Sequence, residues 1–201
     1  MSQISSASTQ DPSATNLRGS SRATKFLIAI LSLPVLFLAL LTPTAAGAAQ
    51  TCVVDSFTNE SGSDSEGDRT LRFCLSPSGA SASAVVSFNH DNQQRVIEVM
   101  TSSVSRSSEV EIQGDGWVTI KLAAGQSGFP LIETTADLTV KGLTFEDGEA
   151  PQGGAINVND NDLTIHDSVF TANHATTTNA RDGGGAVSAG SGDITIINSS
   201  F

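Results

Sequence analysis

Three stretches of this chain overlay one another: DLTVKGLTF from Asp137, DLTIHDSVF from Asp162 and DITIINSSF from Asp193. In each, a Phe follows the Asp by eight residues, at Phe145, Phe170 and Phe201. Upstream, GFPLIETTAD, GGAINVNDND and GGAVSAGSGD align without a gap from Gly128, Gly153 and Gly184, so the units recur after 25 and 31 residues. Gly153 to Phe170 and Gly184 to Phe201 are both seventeen residues, which confines the extra length to the polar loop around ATTTNARD. A fainter copy, EVEIQG from Glu109, matches DLTVKG at a period near 28.

A fixed period of this size predicts a stack of similar units. Leu138/Val140, Leu163/Ile165 and Ile194/Ile196 alternate with Thr139, Thr164 and Thr195, which is strand periodicity, and no stretch is long enough for a helical crossover. Units that stack in parallel without helices must coil, each short strand pairing with its copy one turn later at about 4.8 Å. The Leu spacing and Asn of leucine-rich repeats are missing, and a propeller blade needs longer units of four antiparallel strands. The expected fold is all-β, a right-handed parallel β-helix. Gly153-Gly154 and Gly184-Gly185 fall where a loop re-enters a strand, a place for positive φ or close backbone approach. No Lys or helix follows them, so a phosphate-cradling loop is not expected.

At the other end, Arg18, Arg22 and Lys25 precede FLIAILSLPVLFLALL and the small-residue exit TPTAAGAA. This predicts a secretory signal over 1–49 with an extended n-region, cut near Ala48 or Ala49; the alternative is an uncleaved anchor. Residues 50–95 then hold an N-terminal cap and the first strands, and 96–201 the coils. DRTLRFCL, with Leu71, Phe73, Cys74 and Leu75 apolar, is the candidate capping helix. Removing Arg18, Arg22, Lys25 and Asp11 from ten bases and twenty-one acids leaves seven against twenty, a formal balance of −13. Such a field repels phosphate backbones, so nucleic acid is excluded as a partner, and the exported part is not expected to span a membrane. Cys52 and Cys74 are the only cysteines, and in an oxidising compartment a disulfide is the default over two buried thiols.

GGAI and GGAV, each followed by LTI or ITI and a Phe, with FTAN beginning at Phe170, resemble the repeats of polymorphic outer-membrane proteins, which are built on G-G-A-[ILV] and F-x-x-N. The likeness runs over roughly residues 128–201 and rests on Gly153, Gly154, Ala155, Phe170, Asn173, Gly184, Gly185 and Ala186. Gly148 stands where the preceding unit would have its Asn. TCVVDSF, RTLRFCL and ASAVVSF also look like the strand, short "SLR" helix and apolar strand that open many secreted bacterial β-helices, with Leu71 and Arg72 the strongest matches. The resemblance implies a pectate-lyase-like solenoid exported to the cell surface or outer membrane, used as an adhesin-type passenger carried by a C-terminal barrel.

Asp137, Asp162 and Asp193 form a ladder of like charges unless something compensates. A cation such as Ca²⁺, helped by Asp160 and Asn161, is one candidate; carboxylates accepting backbone N–H groups at a bend are the other. His166, expected to point outward, could act with Asp167 as acid and base or be merely solvated, and His174 is placed in a loop. Polysaccharide-cleaving β-helices need paired carboxylates, or Ca²⁺ with an Arg or Lys base, and no Arg or Lys is expected in register with the acids. Trp117, the sole Trp, makes a thin platform for sugars. The sequence therefore points first to a surface or secreted binding scaffold for an extracellular glycan or a host or neighbour-cell surface protein. A polysaccharide lyase or hydrolase on the same fold is the alternative. Because DITIINSSF stops at the Phe that twice before opens a loop, the chain is expected to be a fragment of a longer solenoid and to self-associate through that open edge.

Overall fold

The computed structural model describes residues 50–58, 67–76, 83–177 and 184–201; the leader expected over 1–49 lies outside them. Along the chain run β1 (Gln50–Val54), α1 (Leu71–Leu75), β2 (Ser83–Phe88), β3 (Arg95–Val99), β4 (Val104–Arg106), β5 (Val110–Leu122) and β6 (Ile132–Thr134). Then come β7 (Leu138–Glu146), β8 (Glu149–Ala150), β9 (Ile156–Asn157), β10 (Leu163–His166), β11 (Val169–Thr171), β12 (His174–Ala175), β13 (Val187–Ser188) and β14 (Ile194–Ile197). The strands pair in parallel with their copies one turn away, and the result is a β-solenoid of about four turns.

One sheet runs β1-β2-β5-β7-β10-β14, with β3 paired to β5 and β11 to β7. A second runs β4-β6-β9-β13, and β8 pairs β12. The inward columns follow from the period-two alternation. Val110, Leu138, Leu163 and Ile194 share one register position, and Cys52, Val86, Ile112, Val140, Ile165 and Ile196 share the next. Across the corner, Ile97, Ile120, Phe145 and Phe170 form another column, which Phe201 extends by stacking on Phe170 at 4.5 Å between ring centroids. Burying each inward Leu or Ile is worth roughly 2–5 kcal/mol against Ala.

The Gly-Gly-Ala motif has a steric reason. Gly153 has φ of +53°, and a Cβ there would stand 2.1 Å from the Ile156 carbonyl oxygen. At Gly154 a Cβ would meet the Gly148 and His174 carbonyl oxygens at 2.4 and 2.6 Å. Ala155 is fully buried and donates its N–H to the Ala186 carbonyl, so the motif in one coil hydrogen-bonds to the motif in the next.

Two sequence expectations need correction. The gapless overlay from Gly128 and Gly153 is off by one residue, because Ile132 pairs with Ile156 and Glu133 with Asn157, whereas Leu138 pairs with Leu163. The lower coil takes an additional residue in its turn, where Asn159 and Asp160 are left-handed at φ +43° and +68°. The upper coil closes more tightly on Thr134, whose hydroxyl donates to the Ala136 carbonyl and accepts that residue's N–H. His174, expected in a loop, lies in β12 and pairs with Glu149.

The helix α1 forms where expected. Thr70 caps it by accepting the Phe73 N–H, and Leu71, Cys74 and Leu75 are buried. Cys52 and Cys74 form a disulfide that ties α1 to β1. Arg72 donates to the carbonyls of Ser102 and Ser103, and the buried Arg106 donates to the Cys74 carbonyl, so two guanidinium groups hold the cap on the first coils. Among the described residues no helix is long and apolar enough to cross a membrane.

Candidate functional site

On the outside of the large sheet, register alone sets Gln113, Lys141 and His166 side by side on successive rungs, with Ile197 beyond them. The corner is then turned in the left-handed region, at the residue after Lys141, His166 and Ile197 (Gly142 at φ +59°, Asp167 at +50° and Asn198 at +49°) and two residues after Gln113, at Asp115 with φ +52°. Asp, Asn and Gly are the residues that tolerate this backbone, so the corner column is polar for a conformational reason. Together the two columns line an open groove of about 700 Å³, bounded by Gln113, Asp115, Gly116, Lys141, Gly142, His166 and Asp167.

The charges in it are partly matched. Lys141 Nζ donates to Glu111 Oε1 at 2.7 Å, and Gln113 Nε2 donates to the same oxygen. The Lys141 bond holds the Glu111 carboxyl below the usual carboxylate range against the opposing effect of burial. His166 Nδ1 lies 2.6 Å from Asp167 Oδ2. At the upper rim, His90 Nδ1 accepts the Asn92 N–H, and its Nε2 faces Asp115 Oδ2 at 3.7 Å. The His90 ring stacks on the indole of Trp117 with centroids 6.0 Å apart, and this pair meets the groove only through the His90–Asp115 contact.

The structure thus brings His166 and Asp167 together, as their adjacency suggested. It also sets Lys141 in register with both Gln113 and His166, and Lys121 in register with Glu98 and Glu146, the latter contrary to the expectation that no base would share a register with acids. Gln113, Asp115 and Lys141 were passed over in the sequence. The overlay of EVEIQG on DLTVKG and DLTIHD held the signal, since it already superposes Gln113, Lys141 and His166.

The other candidates are built into the wall. Asp137 Oδ1 accepts the Asp162 N–H at 3.0 Å, and Asp162 Oδ1 accepts the Asp193 N–H at 2.9 Å. The carboxylates of Asp137 and Asp162 are thereby compensated by the next rung's backbone donor. Asp160 Oδ1 likewise accepts the Ser191 N–H at 2.9 Å. Among the described residues no group of three or more His, Cys, Asp or Glu side chains is placed to share a metal ion. Asn173, the motif Asn, spans two backbone groups of the preceding coil: Oδ1 accepts the Gly148 N–H at 2.9 Å and Nδ2 donates to the Phe145 carbonyl at 2.9 Å. Phe170 is buried between Phe145 and Phe201. Gly184 and Gly185 accept the N–H groups of Gly153 and Gly154 through their carbonyls. Comparison with family models, with curated proteins and with solved structures returned no match for this chain.

Proposed function

We propose that this chain belongs to an exported β-helix of adhesin or passenger type, displayed at the cell surface or outer membrane or secreted, and that it binds an extracellular glycan through the groove of Gln113, Asp115, Lys141, His166 and Asp167. The observation that carries the reading is the composition of that groove. It offers an amide, an ammonium, an imidazole and two carboxylates on consecutive rungs of a hydrogen-bonded wall, next to an indole–imidazole stack. Sugars are recognised by such mixtures of rigidly held donors and acceptors with a neighbouring aromatic ring. The leader pattern and the Cys52–Cys74 disulfide support export. The G-G-A-[ILV] and F-x-x-N signature supports a relation to polymorphic outer-membrane proteins.

A second reading, glycan hydrolysis, is favoured by one feature. Asp115 and Asp167 flank Gly142 on either side, two rungs apart. At about 4.8 Å per rung their backbones are about 9.6 Å apart, and inverting hydrolysis would need their carboxyl groups roughly 6.5–9.5 Å apart. A glycan array probed with the full chain, and with its Lys141→Met and His166→Ala variants, separates these readings from the absence of a site. Retention of a glycan by the parent and its loss in the variants supports binding. Release of new reducing ends from the retained glycan supports hydrolysis. Equal retention by parent and variants removes the groove from consideration.

A further inference from the structure

Resting on the groove's role as a glycan site, we infer that Glu111, which stands outside the groove, is the positioning residue of its wall: the Glu111 carboxylate ties the Gln113 amide to the Lys141 ammonium and so selects a ligand that presents adjacent free hydroxyls to the two. Gln113 and Lys141 pair across neighbouring strands, and both line the groove. A single oxygen, Glu111 Oε1, accepts from Lys141 Nζ at 2.7 Å and from Gln113 Nε2 as well. Beside Glu111, β2 brings Val85 and β7 brings Thr139, neither of which carries a charge, so Lys141 is the charged group that faces it. The Lys141 bond keeps the carboxylate ionised below the usual range, against the opposing effect of burial.

That arrangement dictates what the ligand meets. An ionised carboxylate only accepts, so the Gln113 amide must turn its nitrogen to Glu111; turned over, it would set its own oxygen against the carboxylate. Gln113 Oε1 is thereby held away from Glu111, and no hydrogen bond from the described residues reaches it. Lys141 has further N–H donors beyond the one spent on Glu111. The wall then offers one fixed acceptor and one ammonium on neighbouring rungs, about 4.8 Å apart. Two adjacent hydroxyls of a sugar ring fit that pattern: one donates to Gln113 Oε1, and the next accepts from Lys141 Nζ. Without Glu111 the amide and the ammonium turn freely, and a ligand must order both side chains, which weakens binding.

The test records, without glycan, the side-chain amide resonances of the full chain and of its Glu111→Ala and Glu111→Gln variants, and then runs all three over the glycan array. Gln113→Leu assigns the Gln113 signal by its disappearance, and the backbone amide spectrum reports the fold of each variant. In the parent, the Gln113 amide protons should exchange slowly with water and depart from the shifts of a free glutamine. Glu111→Ala should bring them to those free shifts, and Glu111→Gln, which keeps an oxygen acceptor, should fall between. On the array, Glu111→Ala should retain the parent's glycans roughly tenfold less well, with Glu111→Gln recovering part of the loss. Periodate oxidation of the array, which cleaves adjacent free hydroxyls, should abolish retention by the parent. A Gln113 amide already free in the parent, or still held in Glu111→Ala, overturns the tie to Glu111 whatever the array shows. Retention by Glu111→Ala equal to the parent's overturns the positioning role and leaves the glycan groove standing. Parent retention that survives periodate overturns the selection of adjacent hydroxyls. A parent that retains no glycan while its amide behaves as expected overturns the groove's role as a glycan site, and the selection with it.

Discussion

Asn173 gives the sharpest test of how the coils are held. Its amide reaches back one coil, accepting the Gly148 N–H and donating to the Phe145 carbonyl, and both of those residues are buried. Asn173→Ala strips a partner from each. A buried polar group left without one costs about 1–3 kcal/mol. Asn173 is itself half-buried and water can reach part of the gap, so about 2–4 kcal/mol is expected for the pair. For a folded unit of this size that corresponds to a fall in midpoint of roughly 5–15 °C. Asn173→Asp separates the two bonds. Its carboxylate still accepts from Gly148 but repels the Phe145 carbonyl, and only the protonated acid can donate there. The folded state therefore favours the protonated form and raises that carboxyl's pKa. The protonated acid's contribution is fully present below the unfolded pKa and is lost as pH rises through the folded one, so this variant should recover towards the parent on acidification while Asn173→Ala does not. Far-UV circular dichroism is the appropriate probe, because unfolding in a solenoid can be local and Trp117 reports on a different coil. If both variants melt within 0.5 kcal/mol of the parent by the size of effect typical of surface changes, the amide does not brace the corner and the F-x-x-N motif needs another explanation.

Three further outcomes rest on the same packing. Cys74→Ser, or reduction of the Cys52–Cys74 bridge, opens a loop with a sequence separation of 22 and should cost about 3.4 kcal/mol in the chain-entropy description, read as a lower urea midpoint. Phe170→Ala, at a ring stacked on Phe145 at 4.9 Å and Phe201 at 4.5 Å, should cost about 3–5 kcal/mol, with Phe170→Leu losing less. Lys141→Met should return the Glu111 carboxyl towards its ordinary range; because that pKa is depressed in the folded chain, the stability it contributes is present at neutral pH and lost as pH falls through the folded value, so parent and variant should converge in acid.

The architecture was legible because the inward positions repeat. Leu138, Leu163 and Ile194 announce one column and Phe145, Phe170 and Phe201 another, and stacking like on like leaves the alignment little freedom. The alignment slipped at Ile132 because a turn, unlike a column, may gain a residue: Thr134 closes the bend with its hydroxyl, and Asn159 and Asp160 close the longer one with left-handed backbone. The short pairing of β8 with β12 was invisible for a similar reason, since two residues carry no period. Asp137, Asp162 and Asp193 show the limit of composition. A row of acids reads as a cation site until backbone donors from the next rung are found on Asp137 and Asp162.

The groove was hidden by the property that makes a solenoid useful. Inward residues must match from rung to rung, so Ile112, Val140, Ile165 and Ile196 differ by little more than a methyl. Outward residues have no such obligation, and Gln113, Lys141, His166 and Ile197 share a position while sharing no chemistry. Along the chain these four are about 25 to 31 residues apart, each in its own copy of the repeat. Only the register makes them neighbours, at about 4.8 Å per rung. Chemistry on this fold is composed down a column rather than along a segment, and changing one outward residue alters one position of the site without disturbing the wall that carries it. A substitution at His166 should therefore move ligand preference far more than it moves the melting temperature.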